Sequence, residues 1–170
     1  INSKINPYWT RGLGDFHGFK NRYHNINFHN SFSKKLTPLI RKIIDNAENI
    51  RICALASEKF LGSKRNIASL IEKEINSEND LYLKEFFIFM YQALLEIRLK
   101  SVASDQIDLF NQYFNLKVIN YLKKNIYDQG KFANKVLAII KSMKIEEKIV
   151  KTEKKFKANS EEEKEVNNSK

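Results

Sequence analysis

Apolar residues recur three and four positions apart along most of this chain, and this period constrains the fold more than any other feature of the sequence. Residues spaced in this way lie on one face of an α-helix. The clearest run starts after Thr37 and Pro38, a capping side chain followed by a proline suited to the first helical position, and continues to about Phe60. Only five glycines and two prolines occur in 170 residues, and the Gly-bearing two-residue turns of a sheet protein do not appear. The sequence therefore predicts an all-α fold.

Six helices are expected, packed as a single bundle. The fourth carries apolar side chains around most of its circumference, so other helices must cover it, and we expect it to be central. Gly62 is expected to end the second helix. Capping side chains are expected for the third, fifth and sixth helices at Ser63, at Ser104 or Asp105, and at Asp128. The expected ranges are about 7–25, 38–60, 63–75, 80–100, 104–122 and 128–143.

Beyond Met143 the helical period gives way to Lys and Glu, and the last residues are mostly polar. A segment of this composition cannot bury enough apolar surface to offset the entropy lost on ordering. We expect residues 1–143 to form one helical domain and residues 144–170 to be a disordered charged linker or tail. Because the sequence starts without Met and ends in such a linker, we expect it to be part of a longer chain.

The chain carries a formal net charge of +10, a balance that many proteins binding nucleic acids or anionic membranes share. Its lysines are spread through every expected helix instead of forming one stripe, so we interpret them as a solvated surface. Charged residues interrupt the most apolar stretch, 81–99, which argues against a membrane span. No secretory signal is recognisable and the single cysteine excludes an internal disulfide, so a cytoplasmic protein is expected.

Histidine and cysteine are the residues in which metal or catalytic chemistry would be sought. His17 and His24 would lie about two turns apart on the first helix and His29 beyond its end, so their spacing predicts packing or capping rather than metal ligands. Cys53 lies in a helical segment with no histidine nearby in sequence. The glycines of segment 12–18 follow no strand, which favours a late helix start or a close approach to a neighbour over a phosphate-binding loop. We expect no catalytic, cofactor-binding or metal-binding residue here.

Four blocks of sequence, in order from about Arg11 to Ile140, resemble the N-terminal helical region of the CobT subunit of aerobic cobaltochelatase. The family pattern includes Arg-Gly-x-Ala-Asp, a His-Asp pair, a further His, Glu-Gln-Ala-Arg-x-Glu-Ala, Arg-Glu-Arg-Leu and Asp-Gln-x-x-Phe-Ala. The sequence departs from this pattern at Asn25, where the family has Asp, and at Cys53, where it has Glu. The residues that carry the match include Arg11, Gly12, Asp15, His24, His29, Pro38, Glu48, Arg51, Ala54, Gly62, Asn66, Glu96, Arg98, Asp128, Gln129, Phe132 and Ala133.

The resemblance implies the non-catalytic helical part of a subunit that works with an AAA+ ATPase subunit and a large corrin-binding chelatase subunit. In that hetero-oligomer, ATP hydrolysis drives the insertion of cobalt into hydrogenobyrinic acid a,c-diamide during cobalamin biosynthesis. ATP, Mg²⁺ and cobalt belong to the whole complex, and no cofactor is implied for this chain. The charged tail would begin the acidic linker that leads to the family's C-terminal von Willebrand-type domain.

A docking role places the partner surface on the first helix and the turn at 60–66, where the resemblance is densest. The candidate docking residues are Arg11, Arg22, His24, Lys64 and Arg65. Three alternatives remain open. They are an adaptor that remodels a target other than a corrin together with an AAA+ partner, a basic helical domain that binds nucleic acid, and a structural interaction domain with no link to ATP.

Overall fold

The computed structural model describes residues 7–97, 99 and 107–144. These residues form eight α-helices and no strand, which confirms the all-α prediction. No helix in the described part of the chain is long and apolar enough to cross a lipid bilayer. The helices are α1 (Pro7–Tyr23), α2 (Ile26–Ser33), α3 (Pro38–Lys59), α4 (Leu61–Asn76), α5 (Leu81–Leu95), α6 (Ile107–Tyr113), α7 (Leu116–Lys124) and α8 (Gln129–Met143).

Two helix starts were not predicted, and an asparagine caps each of them. Asn25 Oδ1 accepts a hydrogen bond from Phe28 N at 3.0 Å and begins α2 in a segment expected to be a connection. Asn115 Oδ1 accepts from Val118 N at 3.2 Å and divides the expected fifth helix into α6 and α7. A side chain that satisfies a free N–H of the first turn lets a short helix begin where the apolar period gives no signal. The expected six helices are therefore corrected to eight within the described residues.

The junction between α3 and α4 also differs from the expectation. Phe60, with φ −135° and ψ 106°, is the single residue between the two helices, and Gly62 lies inside α4 rather than ending α3. Ser63 does not cap α4. Its hydroxyl donates to the carbonyls of Ala56 and Phe60, both at 2.8 Å, and so bonds the first turn of α4 to the end of α3.

Two further helix starts were expected, one at about Asp80 and one at a cap on Asp128. Asp80 accepts from Leu83 N and Asp128 accepts from Lys131 N, both at 2.9 Å, so these two helix starts are confirmed. The helix after Asp80 is shorter than expected because Glu96 adopts the left-handed conformation, with φ 54°, and ends α5 at Leu95. The caps expected at residues 104 or 105, and the tail after residue 144, lie outside the described residues.

The core centres on α3 and α5. α5 packs against α3, α4, α6 and α7, as expected for a central helix, while α3 contacts α1, α4, α5 and α8. Every residue from 50 to 57 on α3 is buried, so for two turns this helix is enclosed on all sides. The enclosed residues include Arg51, which has no exposed surface.

Candidate functional site

Two helix backbones come very close together where α1 crosses α4. A Cβ atom on Gly12 would lie 2.2 Å from the carbonyl oxygen of Asn66, so only glycine fits there without movement of one helix. Asn66 Nδ2 donates to Asp15 Oδ2 at 3.0 Å across the same contact. We call Gly12, Asp15 and Asn66 the α1–α4 seam. The close approach expected for this glycine segment is found, but α1 starts at Pro7 and therefore does not begin late.

Two cation–aromatic contacts border the seam. The Arg65 guanidinium lies 4.1 Å from the ring centre of Tyr8, and Lys73 Nζ lies 3.5 Å from that of Trp9. Both pairs join α4 to the start of α1, and such contacts contribute about 0.5–1 kcal/mol at exposed sites. The side chains that border the seam are therefore already engaged in helix packing.

A second contact between α1 and the rest of the fold is built around a buried charge pair on α3. Arg51 donates from Nε to Glu48 Oε2 and from Nη2 to Glu48 Oε1, both at 2.7 Å. It also donates to the carbonyl of Tyr23 at 2.8 Å, at the end of α1, and to the carbonyl of Ile126 at 2.7 Å, before α8. One guanidinium thus bonds three separate parts of the chain.

His24 and Gln129 extend this pair. His24 Nδ1 lies 2.8 Å from Glu48 Oε1 and 3.3 Å from Gln129 Nε2. Gln129 Oε1 accepts from Asn25 N at 2.7 Å and thereby joins α8 to the start of α2. We call Glu48, Arg51, His24 and Gln129 the Arg51 network.

The histidines are placed differently from what their sequence spacing suggested. His24 follows the last residue of α1 and His29 lies in α2, and their ring centres are 4.9 Å apart. His29 Nε2 lies 2.7 Å from Asp45 Oδ1 on α3. His17 is exposed on α1 and contacts Phe16. The sequence prediction extended the first helix to about residue 25 and so included His24. For this reason it did not place His24 next to His29.

A chain of aromatic side chains runs over the surface from the α3–α4 junction to the loop before α8. The ring of Phe60 contacts Phe19 at a centroid distance of 5.6 Å, Phe19 stacks on Tyr23 at 5.7 Å, and Tyr23 contacts Tyr127 at 6.2 Å. Phe60 is 61% exposed and Tyr127 50% exposed. We call these four residues the aromatic ridge.

Two cations accompany the aromatic ridge. The Arg22 guanidinium lies 5.5 Å from the ring centre of Tyr23, and Lys59 Nζ lies 5.3 Å from that of Tyr127. A hydrogen bond with Tyr127 raises the pKa of Lys59 above its ordinary value. The ridge therefore combines exposed aromatic rings with positive charge.

The five docking candidates have different surroundings. Arg11 and Arg65 are exposed near the seam, and Arg22 is exposed beside the aromatic ridge. Lys64 lines a separate cavity of about 320 Å³. His24 belongs to the Arg51 network, with 9% of its side chain exposed, which leaves little surface for a partner protein.

Cys53 is enclosed in the core, and burial raises the pKa of its thiol well above the ordinary value. A thiol held in its protonated form is a poor nucleophile, so the expected packing role fits this position.

Residues from distant blocks of sequence thus meet at two places. Gly12 and Asp15 meet Asn66 at the seam, and His24, Glu48 and Arg51 meet Gln129 in the network. A family model described as "Cobalamin biosynthesis protein CobT" matches residues 6–170. No curated protein and no solved structure matches the chain.

Proposed function

The chain belongs to the CobT family of cobalamin biosynthesis proteins, and from this premise we propose that it is a non-catalytic docking part of a cobaltochelatase-type assembly. In this proposal it binds an AAA+ ATPase subunit and transmits the effect of ATP hydrolysis to a large corrin-binding subunit. That subunit inserts cobalt into hydrogenobyrinic acid a,c-diamide in the cytoplasm. Cobalt and the corrin are then substrates of the assembly, while ATP and Mg²⁺ are bound by the partner.

The aromatic ridge is the observation that supports a docking role. Binding hot spots in protein interfaces are enriched in Tyr, Trp and Arg, and aromatic rings are common in the buried centre of an interface. Phe60 and Tyr127 offer such rings at the surface, and Arg22 and Lys59 lie beside them. A partner surface with apolar pockets bordered by carboxylates would complement this arrangement.

The ridge modifies the docking surface expected from sequence. The proposed surface includes Arg22 and the end of α1, which were expected from sequence. It also includes Lys59 and Tyr127, which were not. Arg65 is stacked on Tyr8 across the seam, so it contributes less to a partner than an unengaged arginine would. We therefore expect Arg22 to matter more for docking than Arg65.

The proposal can be tested by capturing the cognate AAA+ subunit on the immobilised chain at about physiological salt. Phe60→Ser and Tyr127→Ala should each weaken capture at least about tenfold, because a buried aromatic anchor contributes about 2 kcal/mol or more. Leu116→Ala is the matched control, since Leu116 is 75% exposed and is the first residue of α7, which carries none of the four ridge residues. Arg65→Glu tests the seam as an alternative surface.

Capture that survives moderate salt, is lost in the ridge variants and persists in L116A supports the proposal, since buried contacts are screened less than exposed charges. Equal capture by wild type and both ridge variants would contradict it. Loss of capture only in R65E would move the interface to the seam. Salt-resistant, sequence-selective RNA binding without ATPase capture would favour the nucleic-acid alternative.

A further inference from the structure

An open cavity of about 600 Å³ lies between the end of α1, α2 and α3. Both His24 and His29 line it, together with Asp45 and Glu48. We propose that His24 and His29 together bind a divalent transition metal ion in this cavity. The inference is independent of the docking role proposed above.

Each ring is bound through one nitrogen to a carboxylate, and this leaves the other nitrogen available. His24 uses Nδ1 for Glu48, and His29 uses Nε2 for Asp45. Within the part of the chain that the structure describes, no hydrogen bond reaches His24 Nε2 or His29 Nδ1. A histidine that binds a metal commonly donates its second ring N–H to a carboxylate, which fixes the ring and makes the free nitrogen a better ligand. Both rings have this support.

The separation of the two rings fits one shared ion. With metal–nitrogen distances of about 2.0–2.1 Å and tetrahedral angles, two imidazole ligands have ring centres about 5 Å apart. The centres of His24 and His29 are 4.9 Å apart and their planes are inclined by 59°. The separation of the two ring centres therefore matches that of two imidazoles bound to one ion.

Two imidazoles do not complete a coordination shell. Among the described residues no three His, Cys, Asp or Glu side chains are grouped so that they could hold a metal ion. The remaining positions would be filled by water or by a donor from another molecule, as in sites that keep an open coordination position. The site is suited to loading and releasing an ion rather than to holding a structural one.

The charges around the cavity also indicate weak binding. Lys20, Lys34 and Arg41 line it as well, and Arg51 balances the charge of Glu48. Asp45, with 49% of its side chain exposed, is therefore the carboxylate most able to attract a cation. Imidazole nitrogens favour ions such as Zn²⁺, Co²⁺ and Ni²⁺ over Mg²⁺, so we expect selectivity for the former group.

The test uses the 170-residue chain with any affinity tag removed. Long-range ¹⁵N–¹H spectra of the imidazoles are recorded while Zn²⁺ is added, and Co²⁺ binding is followed by calorimetry and visible absorption. We expect His24 Nε2 and His29 Nδ1 to shift together with saturation at one ion per chain. His17, which is exposed on α1, serves as the internal control.

Three single variants test which residues contribute to the affinity for Co²⁺. His29→Ala should reduce the affinity for Co²⁺ at least about tenfold, and Asp45→Asn should reduce it by about 10- to 100-fold, the range known for residues that orient metal ligands. His17→Ala should leave it unchanged. The wild-type spectra remain decisive if a variant folds poorly.

Equal shifts of all three histidines, binding unaffected by H29A, or no saturable Zn²⁺ or Co²⁺ binding would each overturn the proposal. Because ATPase capture needs no added metal, failure of the metal site leaves the docking proposal standing, and failure of docking leaves the metal site standing.

Discussion

The seam and the Arg51 network both attach α1 to the body of the fold, but they do so by opposite means. At the seam, the absence of a side chain on Gly12 lets two helix backbones touch. In the network, the large charged side chain of Arg51 fills the interior and bonds the end of α1 through the Tyr23 carbonyl. The seam is therefore sensitive to added side-chain volume, and the Arg51 network is sensitive to the loss of a charge.

The largest expected effect belongs to the network. Arg51→Ala should lower the free energy of unfolding by about 3–5 kcal/mol, because Glu48 would stay buried without its counter-charge. The carbonyls of Tyr23 and Ile126 would lose their donors at the same time. Urea denaturation followed by circular dichroism measures the change.

Arg51→Lys is the matched control for this prediction. It keeps the positive charge but cannot reproduce the two-nitrogen contact with Glu48, so we expect an intermediate loss. A loss below about 1 kcal/mol in R51A would mean that Glu48 finds water or protonates easily, and the contrast between the two contacts would fail.

The seam should respond to the smallest possible addition. Alanine is favoured over glycine in a helix by about 1 kcal/mol. At position 12, however, the new methyl group would meet the Asn66 carbonyl, and overpacking of this kind costs about 1–3 kcal/mol. We therefore expect Gly12→Ala to destabilise the fold despite its higher helix propensity, as measured by the urea midpoint.

Gly14→Ala provides a control two residues away on the same helix. No atom of a neighbouring element lies within 4 Å of a Cβ placed there, so this variant should gain up to about 1 kcal/mol. Opposite signs for the two variants would locate the constraint at the contact. A gain in both would show that α1 moves away from α4 at little cost.

The smallest effect is expected at the border of the seam. Arg65→Gln removes the contact with Tyr8 and should cost less than about 1 kcal/mol, because Arg65 is exposed and Tyr8 is only partly buried. A loss above about 2 kcal/mol in thermal or urea unfolding would show that the seam also depends on charge. That result would weaken the distinction between the two contacts.

Sequence patterns predicted the helical class and several helix starts because these depend on local chemistry. Thr37, Asp80 and Asp128 each accept a hydrogen bond from the first turn of the next helix. Asn25 and Asn115 do the same for short helices, but a chain so rich in asparagine does not distinguish capping asparagines from others. Ser63 was misread because its hydroxyl bonds backwards to α3, a contact that depends on the angle between two helices.

The candidate site was less predictable because its contacts join residues on different helices. The separation of Glu48 and Arg51 by three residues places them side by side on a helix, but it does not indicate that both are buried. His24 and His29 become neighbours although α1 ends at Tyr23 and His29 lies in a separate helix, α2. Gln129 reaches the same place from α8, 104 residues after Asn25 in sequence.

The single residue between α3 and α4 has a consequence for how the length of this chain can change. Each residue inserted into a helix rotates the rest of that helix by about 100°. Because Phe60 alone links the two helices and Ser63 bonds across the junction, an insertion here would turn Asn66 away from Gly12 unless those bonds broke. Insertions and deletions should therefore be excluded from this corner, even though Phe60 itself is largely exposed.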